Sequence, residues 1–206
     1  METKYEAQDF KGLLGTAGMS DQLLTNHFVL YEGYVKNVNA LLELLAAKEP
    51  GTPEYAELKR RFGWEWNGMR LHELYFGNMK GNEKLKMKNE ELGGEKGEKA
   101  GSGVGSRMLE VLENSFGSFE KWRKDFVGTG TMRGIGWVIL AKDPQTGMLF
   151  NTWINEHDGG HLSGAMPILV MDVFEHAFML DYGLKRADYI EAFFKAIDWS
   201  VVEKRA

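Results

Sequence analysis

The chain has 206 residues, of which 43% are hydrophobic and 12% aromatic, enough to bury a core in one large domain or two small ones. Its net charge of −5 is spread along the sequence without a basic stripe, which argues against nucleic-acid binding. Cysteine is absent, which excludes disulfides, iron–sulfur clusters, thiolate zinc sites and a thiol nucleophile; any metal must be held by nitrogen and oxygen.

The opening METKYEAQDFKGLLG has no apolar signal core, and no run approaches the roughly 18 apolar residues of a membrane span. The expectation is a cytoplasmic protein with no membrane partner. Residues 20–47 read as a helix: Leu24, Phe28, Tyr31, Val35, Val38, Leu42 and Leu45 recur every three or four positions, with Ser20 or Asp21 as N-cap. KEPGTPE (48–54) breaks it with two prolines and a glycine. A second helix is predicted over 54–81, and the short linker predicts an antiparallel helical hairpin. LGGEKGEKAGSGVGS (92–106) carries six glycines and almost nothing to bury, so it is read as a connecting loop between domains at 1–91 and 107–206.

After it, RMLEVLENSF and SFEKWRKDFVGT predict short helices. Residues 134–155 predict a β-hairpin around Asp143-Pro144-Gln145-Thr146-Gly147, AMPILVMD a third strand, and YIEAFFKAI a closing amphipathic helix. The fold class expected is α+β: an N-terminal antiparallel helical hairpin and a C-terminal α/β domain with a three-stranded antiparallel sheet.

Three of the five histidines, His27, His72 and His176, fall in apolar surroundings, as does Asp172 four positions before His176. Buried imidazoles and carboxylates are costly unless paired or bound to metal. Three imidazoles and one carboxylate suit a borderline metal such as Fe, Mn, Zn or Cu and not Mg or Ca. The pattern alone leaves two readings open, a metal site or satisfied core residues, because spacing does not establish that the four converge.

The segment DVFEHAFMLDYGLKRADYIEAFFKAIDW (172–199) closely resembles the C-terminal signature of the iron/manganese superoxide dismutases. GIGWVIL resembles that family's Gly-Ser-Gly-Trp strand, NGMRLHELYFGNM its second-ligand helix, and YVKNVNALL its first helix, in the family's order. The resemblance covers most of the chain and is weakest over 80–107.

It implies superoxide dismutation to O₂ and H₂O₂ by redox cycling of one Fe or Mn ion per chain, with a lean to iron. The implied ligands are His27, His72, Asp172 and His176. The family usually places the first ligand eight residues before the tyrosine of its Tyr-Val pair, which an ungapped match would put at Asn26. His27 is seven before Tyr34, two helical turns, and loss of a π-bulge would absorb the difference, so His27 is assigned on a locally more regular helix. Tyr34 is then the tyrosine at the mouth of the site. His157, fifteen residues before Asp172, is the outer donor expected to hydrogen-bond metal-bound solvent. Gly68 leaves the corresponding place on the second helix without a donor side chain.

Trp137 and Phe174 would wall the site, and Glu175 resembles the glutamate that reaches a partner subunit's ligand histidine, implying a homodimer or homotetramer. The family's gateway histidine is replaced by Leu30 or Tyr31, and its tyrosine partner by Met179. His161 has no family role to carry over. Two rival functions follow from other uses of the same residues: a non-catalytic interaction module on this fold, and a mononuclear non-haem iron oxygenase or peroxidase. The oxygenase and peroxidase sites usually use two histidines and one carboxylate.

Overall fold

The computed structural model describes residues 4–81 and 103–206. Ser20 caps the first helix, α1 (Asp21–Ala47), its side chain accepting from Leu23 N. Gly51, with φ of 88°, turns the chain, and Thr52 caps α2 (Pro53–Gly77) with Pro53 in its first turn. The two helices pack as the expected hairpin. The apolar stripe of α1 holds from Leu24 to Val38, but its last turns rotate: Leu41 is buried, Leu42 exposed and Leu45 half-buried. In a run of paired leucines, periodicity alone does not say which of two neighbours faces inward.

The second helix ends at Gly77, earlier than the predicted 81, because Asn78 is needed elsewhere. Its Oδ1 accepts from Val170 N at 2.8 Å, its Nδ2 donates to Tyr75 O at 2.7 Å, and its carbonyl accepts from Asp198 N at 2.9 Å. One buried side chain thereby closes the helix and satisfies an outward N–H of a sheet edge.

The glycine-rich connection expected over 92–106 lies, as far as residue 102, outside the described residues. Beyond it come α3 (Ser106–Phe116) and α4 (Phe119–Gly130), separated by Gly117 at φ 85°. Strands β1 (Gly136–Lys142), β2 (Leu149–Asn155) and β3 (Met166–Asp172) form an antiparallel sheet in the order β2-β1-β3. The β1–β3 register slips between Leu140 and Ala141, where Pro167 enters and offers no N–H. Further along, the same ladder sets Trp137 opposite Asp172, so both side chains leave one face at one end of the sheet.

A 3₁₀ turn (Glu175–Ala177) and a one-turn helix, α5 (Met179–Tyr182), follow β3. The closing helix, α6, spans Arg186–Ala196, and a further short helix, α7 (Trp199–Arg205), was not anticipated. The architecture is the α+β class expected. Its core is continuous: Leu24, Met69 and Phe76 of the hairpin belong to one apolar cluster with Trp137, Val170 and Phe193. Among the described residues no helix is long and apolar enough to cross a membrane.

Candidate metal centre

Four side chains meet where the helical hairpin packs on the end of β3. His27 comes from α1, His72 from α2, Asp172 from the last position of β3 and His176 from the 3₁₀ turn. One donor atom from each lies within 4.8 Å of all the others. The Nε2 atoms of His27 and His176 are each 3.2 Å from Asp172 Oδ2, and that of His72 is 3.7 Å away. His27, His72 and Asp172 are buried, whereas the His176 side chain is 30% exposed and marks the open side.

Register decides the first of these. Asn26 is exposed and accepts from Gln22 Nε2, while His27 points inward. The helix is α throughout, with no π-turn.

The protonation pattern is legible from the partners. His72 Nδ1 lies 2.6 Å from the carbonyl of Gly68, one turn earlier. A carbonyl only accepts, so Nδ1 carries the proton and Nε2 a lone pair. That lone pair is buried, has no hydrogen-bond partner, and faces a carboxylate oxygen; His27 Nε2 is likewise without one. Burial pushes both imidazoles below their ordinary value, toward the neutral form that coordinates metal. Asp172 is pushed up by burial, but the adjoining His176 and His27 more than offset this and hold it well below the usual carboxylate range. Its other oxygen accepts from Phe174 N at 2.8 Å. The unprotonated Nε2 of His72 and the anionic oxygen it faces repel one another unless a cation sits between them, so this donor set fits a divalent or trivalent metal.

The surrounding shell is aromatic. Trp137 stands edge-on to His72 at 4.9 Å, and Phe174 stacks between His157 at 4.9 Å and His176 at 5.2 Å. Tyr34 lies 5.1 Å from the His72 ring, and its hydroxyl is 2.7 Å from His157 Nε2. Trp137 Nε1 donates to His157 Nδ1 at 3.0 Å. Both nitrogens of His157 are therefore engaged by protein groups, Tyr34 on one side and Trp137 on the other.

Glycine at 68 does not leave empty room either. A Cβ there would come within 2.6 Å of the Tyr34 ring, which already fills the space a donor side chain from α2 would need. Leu30 and Met179 are exposed, while Tyr31 turns into the core, its hydroxyl accepting from Gln8 N and donating to Glu73. Glu175 is exposed at the start of the 3₁₀ turn.

Several contributors are not apparent from sequence. Trp64 packs on His157 at 4.4 Å and donates to Glu156 Oε2 at 3.1 Å. Tyr189 donates to the carbonyl of Asp172 at 2.7 Å and pairs with Tyr75. His161 Nε2 donates to the carbonyl of His157 at 2.9 Å rather than meeting its ring. Only the Gly68 carbonyl left a signal, since a residue four before a helical histidine is the natural partner of its Nδ1.

A family model described as iron/manganese superoxide dismutases, C-terminal domain, matches residues 104–205. A protein of Cupriavidus metallidurans named superoxide dismutase [Fe] is 34% identical over 188 residues, covering 88% of this chain and 85% of that one. One of Haloarcula marismortui named superoxide dismutase [Mn] is 34% identical over 184 residues, covering 88% and 82%. One of Aquifex pyrophilus named superoxide dismutase [Fe] is 31% identical over 211 residues, covering 98% and 91%. The similarity runs through both the helical hairpin and the sheet, the two parts that bring the four donors together, and the chain belongs to the iron/manganese superoxide dismutase family.

Proposed function

We propose that this protein is a superoxide dismutase in which His27, His72, Asp172 and His176 hold one iron or manganese ion, iron being the metal we favour. The observation that carries the reading is the pair of buried, unpartnered Nε2 atoms of His27 and His72 converging on Asp172 Oδ2. When bound, the metal supplies the redox chemistry, taking one electron from a first superoxide and returning it to a second. The balance is two superoxide ions and two protons giving O₂ and H₂O₂. Iron and manganese both occur in the names of the relatives, and zinc, which this donor set would also accept, cannot cycle.

The chain's own residues meet the remaining demands. One carboxylate among three imidazole ligands leaves a bound cation under-neutralised, which draws in a small anion. Trp137 and Phe174 exclude water from the sides. Tyr34 holds a proton at Oη across the neutral range, as any phenol does, and burial pushes it further up. His157 orients that hydroxyl.

Glu175 on the exposed turn, with exposed Leu30 three after His27 and Met179 three after His176, supports a homodimer closing over the open side, or a homotetramer built from it. A cytoplasmic location fits the lack of a spanning helix among the described residues. Metal analysis with a superoxide assay tests the reading. About one Fe or Mn per chain and metal-dependent turnover are expected. A metal-replete protein without turnover would overturn it.

A further inference from the structure

Ser20 carries two hydrogen-bond donors at the head of α1, its backbone N–H and its Oγ–H. Both go to one carboxylate: Ser20 N lies 2.7 Å from Asp181 Oδ2, and Ser20 Oγ 2.7 Å from Asp181 Oδ1. An ionised carboxylate only accepts, which fixes the direction of both bonds. The Oγ lone pair accepts in turn from Leu23 N, so the hydroxyl donates outward and accepts inward. Asp181 thereby sits at the positive end of α1, where an anionic acceptor is favoured. Two residues earlier the contact is doubled. Tyr182 Oη donates to the carbonyl of Gly18, and Gly18, at φ 85°, lies so close to α6 that a Cβ there would come within 2.8 Å of Ala192 Cβ.

This clamp lies on the ligand face of α1. His27 follows Ser20 by seven residues, two helical turns, so the two lie one above the other on the same face. Asp181 follows His176 by five residues, through the 3₁₀ turn. The ring centroids of His27 and His176 are 4.8 Å apart, and each Nε2 is 3.2 Å from Asp172 Oδ2. A shift of α1 along its axis therefore changes the distance from His27 to both other donors. Beside the clamp, Tyr182 packs on Tyr189 at 6.1 Å, and Tyr189 donates to the carbonyl of Asp172. Three of the four donors are thus referred to α5, while His72 is set separately by the Gly68 carbonyl.

We propose that Asp181 is a positioning residue for the metal centre: by taking both donors of Ser20 it holds the head of α1 against the turn that carries His176, and so sets His27 at coordinating distance from His176 and Asp172. This role rests on the four-donor reading of the centre and not on which reaction the bound metal performs. Ser20 and Asp181 are both exposed, so water competes for their bonds, and their contribution to stability is that of an ordinary helix cap. What they add is register between two parts of the chain 161 residues apart. Removing them should weaken metal binding more than it weakens the fold.

Co²⁺ titrated into the metal-free full chain tests this through its affinity and through its visible ligand-field bands, which report the geometry of the donors. Asp181→Ala is expected to lower Co²⁺ affinity about tenfold and to shift the bands. Asp181→Asn should recover both most of the way, because its amide oxygen still accepts from Ser20 N and its amide N–H donates to Ser20 Oγ. Arg123→Ala, which breaks an exposed ion pair with Glu191 of α6, should leave both unchanged. Unchanged affinity and bands in folded Asp181→Ala would overturn the proposal, as would an equal loss in Arg123→Ala or no recovery in Asp181→Asn. Should Asp181→Ala fail to fold, Ser20→Ala, which removes one of the two bonds, is expected to shift the bands in the same direction, and unchanged bands there would overturn it. A parent chain that bound no Co²⁺ would remove the centre and the clamp together. One that bound Co²⁺ as expected, yet showed no superoxide turnover with iron or manganese, would remove the dismutase reading and leave the clamp standing.

Discussion

The helical half of the metal centre delivers His27 and His72 from unbroken α-helix, whereas the sheet half delivers Asp172, His176 and His157 from a strand end, a 3₁₀ turn and a clamped loop. The helical side chains are wholly buried and neutral, and one of them is oriented by nothing more than a carbonyl one turn away. The sheet side carries the negative charge, the open edge and the hydrogen bonds that aim Tyr34. Regular backbone suits groups that need only to be held still. Irregular backbone suits groups whose exposure and proton direction matter, because turns and strained residues can re-aim a side chain that a helix or strand would fix.

The largest effect should come from removing the charge of the sheet half. Asp172→Ala is expected to lose metal and turnover together, the affinity falling by more than about 100-fold, beyond what loss of an outer hydrogen-bond partner causes. Metal titration checks it, and full occupancy would break the assignment. His27→Ala should match it on the helical side while Asn26→Ala keeps its metal, since Asn26 is exposed and bonded to Gln22. The reverse outcome would mean the α1 register is one residue out.

Asn78→Ala removes the side-chain bond that ties the halves and leaves the backbone bond from Asp198 N in place. It leaves the Val170 N–H without its acceptor inside the protein, for an expected loss of about 1–3 kcal/mol in urea denaturation. Gly68→Ala should cost a similar amount, about 1–3 kcal/mol, by driving a methyl group into the Tyr34 ring, and turnover should fall with it. An unchanged midpoint would show that Tyr34 is free to move, contrary to its bond with His157.

The gentlest perturbation is a change of pH, read on the metal-free chain. Burial holds the His157 imidazole down at about 4 against an ordinary 6.5. Between those values the unfolded chain binds the proton and the folded chain does not, so stability must fall as pH drops through that window. The slope approaches about 1.4 kcal/mol per pH unit for one such group, with His27 and His72, also pushed down by burial, adding to it. A denaturation midpoint flat from pH 7 to pH 4 would show that these imidazoles are not desolvated as described.

Much of this protein is determined by residue order alone. The α1–α2 hairpin follows from apolar recurrence at three and four positions and from the Pro50-Gly51-Thr52-Pro53 break. The three strands follow from β-branched runs around turn residues, because helix and strand periods are local properties of the chain. The four-donor set was legible as well, through resemblance in separate motifs, and His27 over Asn26 could be argued from two helical turns to Tyr34. Tertiary structure alone decided the rest. Leu41 rather than Leu42 is buried because the packing partner, not the period, selects between adjacent leucines. The second helix stops at Gly77 because Asn78 is drawn to β3 and to the turn before α7. Gly68 is filled by a ring from another helix, and His157 is bonded to Tyr34 and Trp137 together. These outcomes depend on which groups meet across the fold. The direction of a hydrogen bond is a property of the pair that makes it, and no single residue in the sequence carries it.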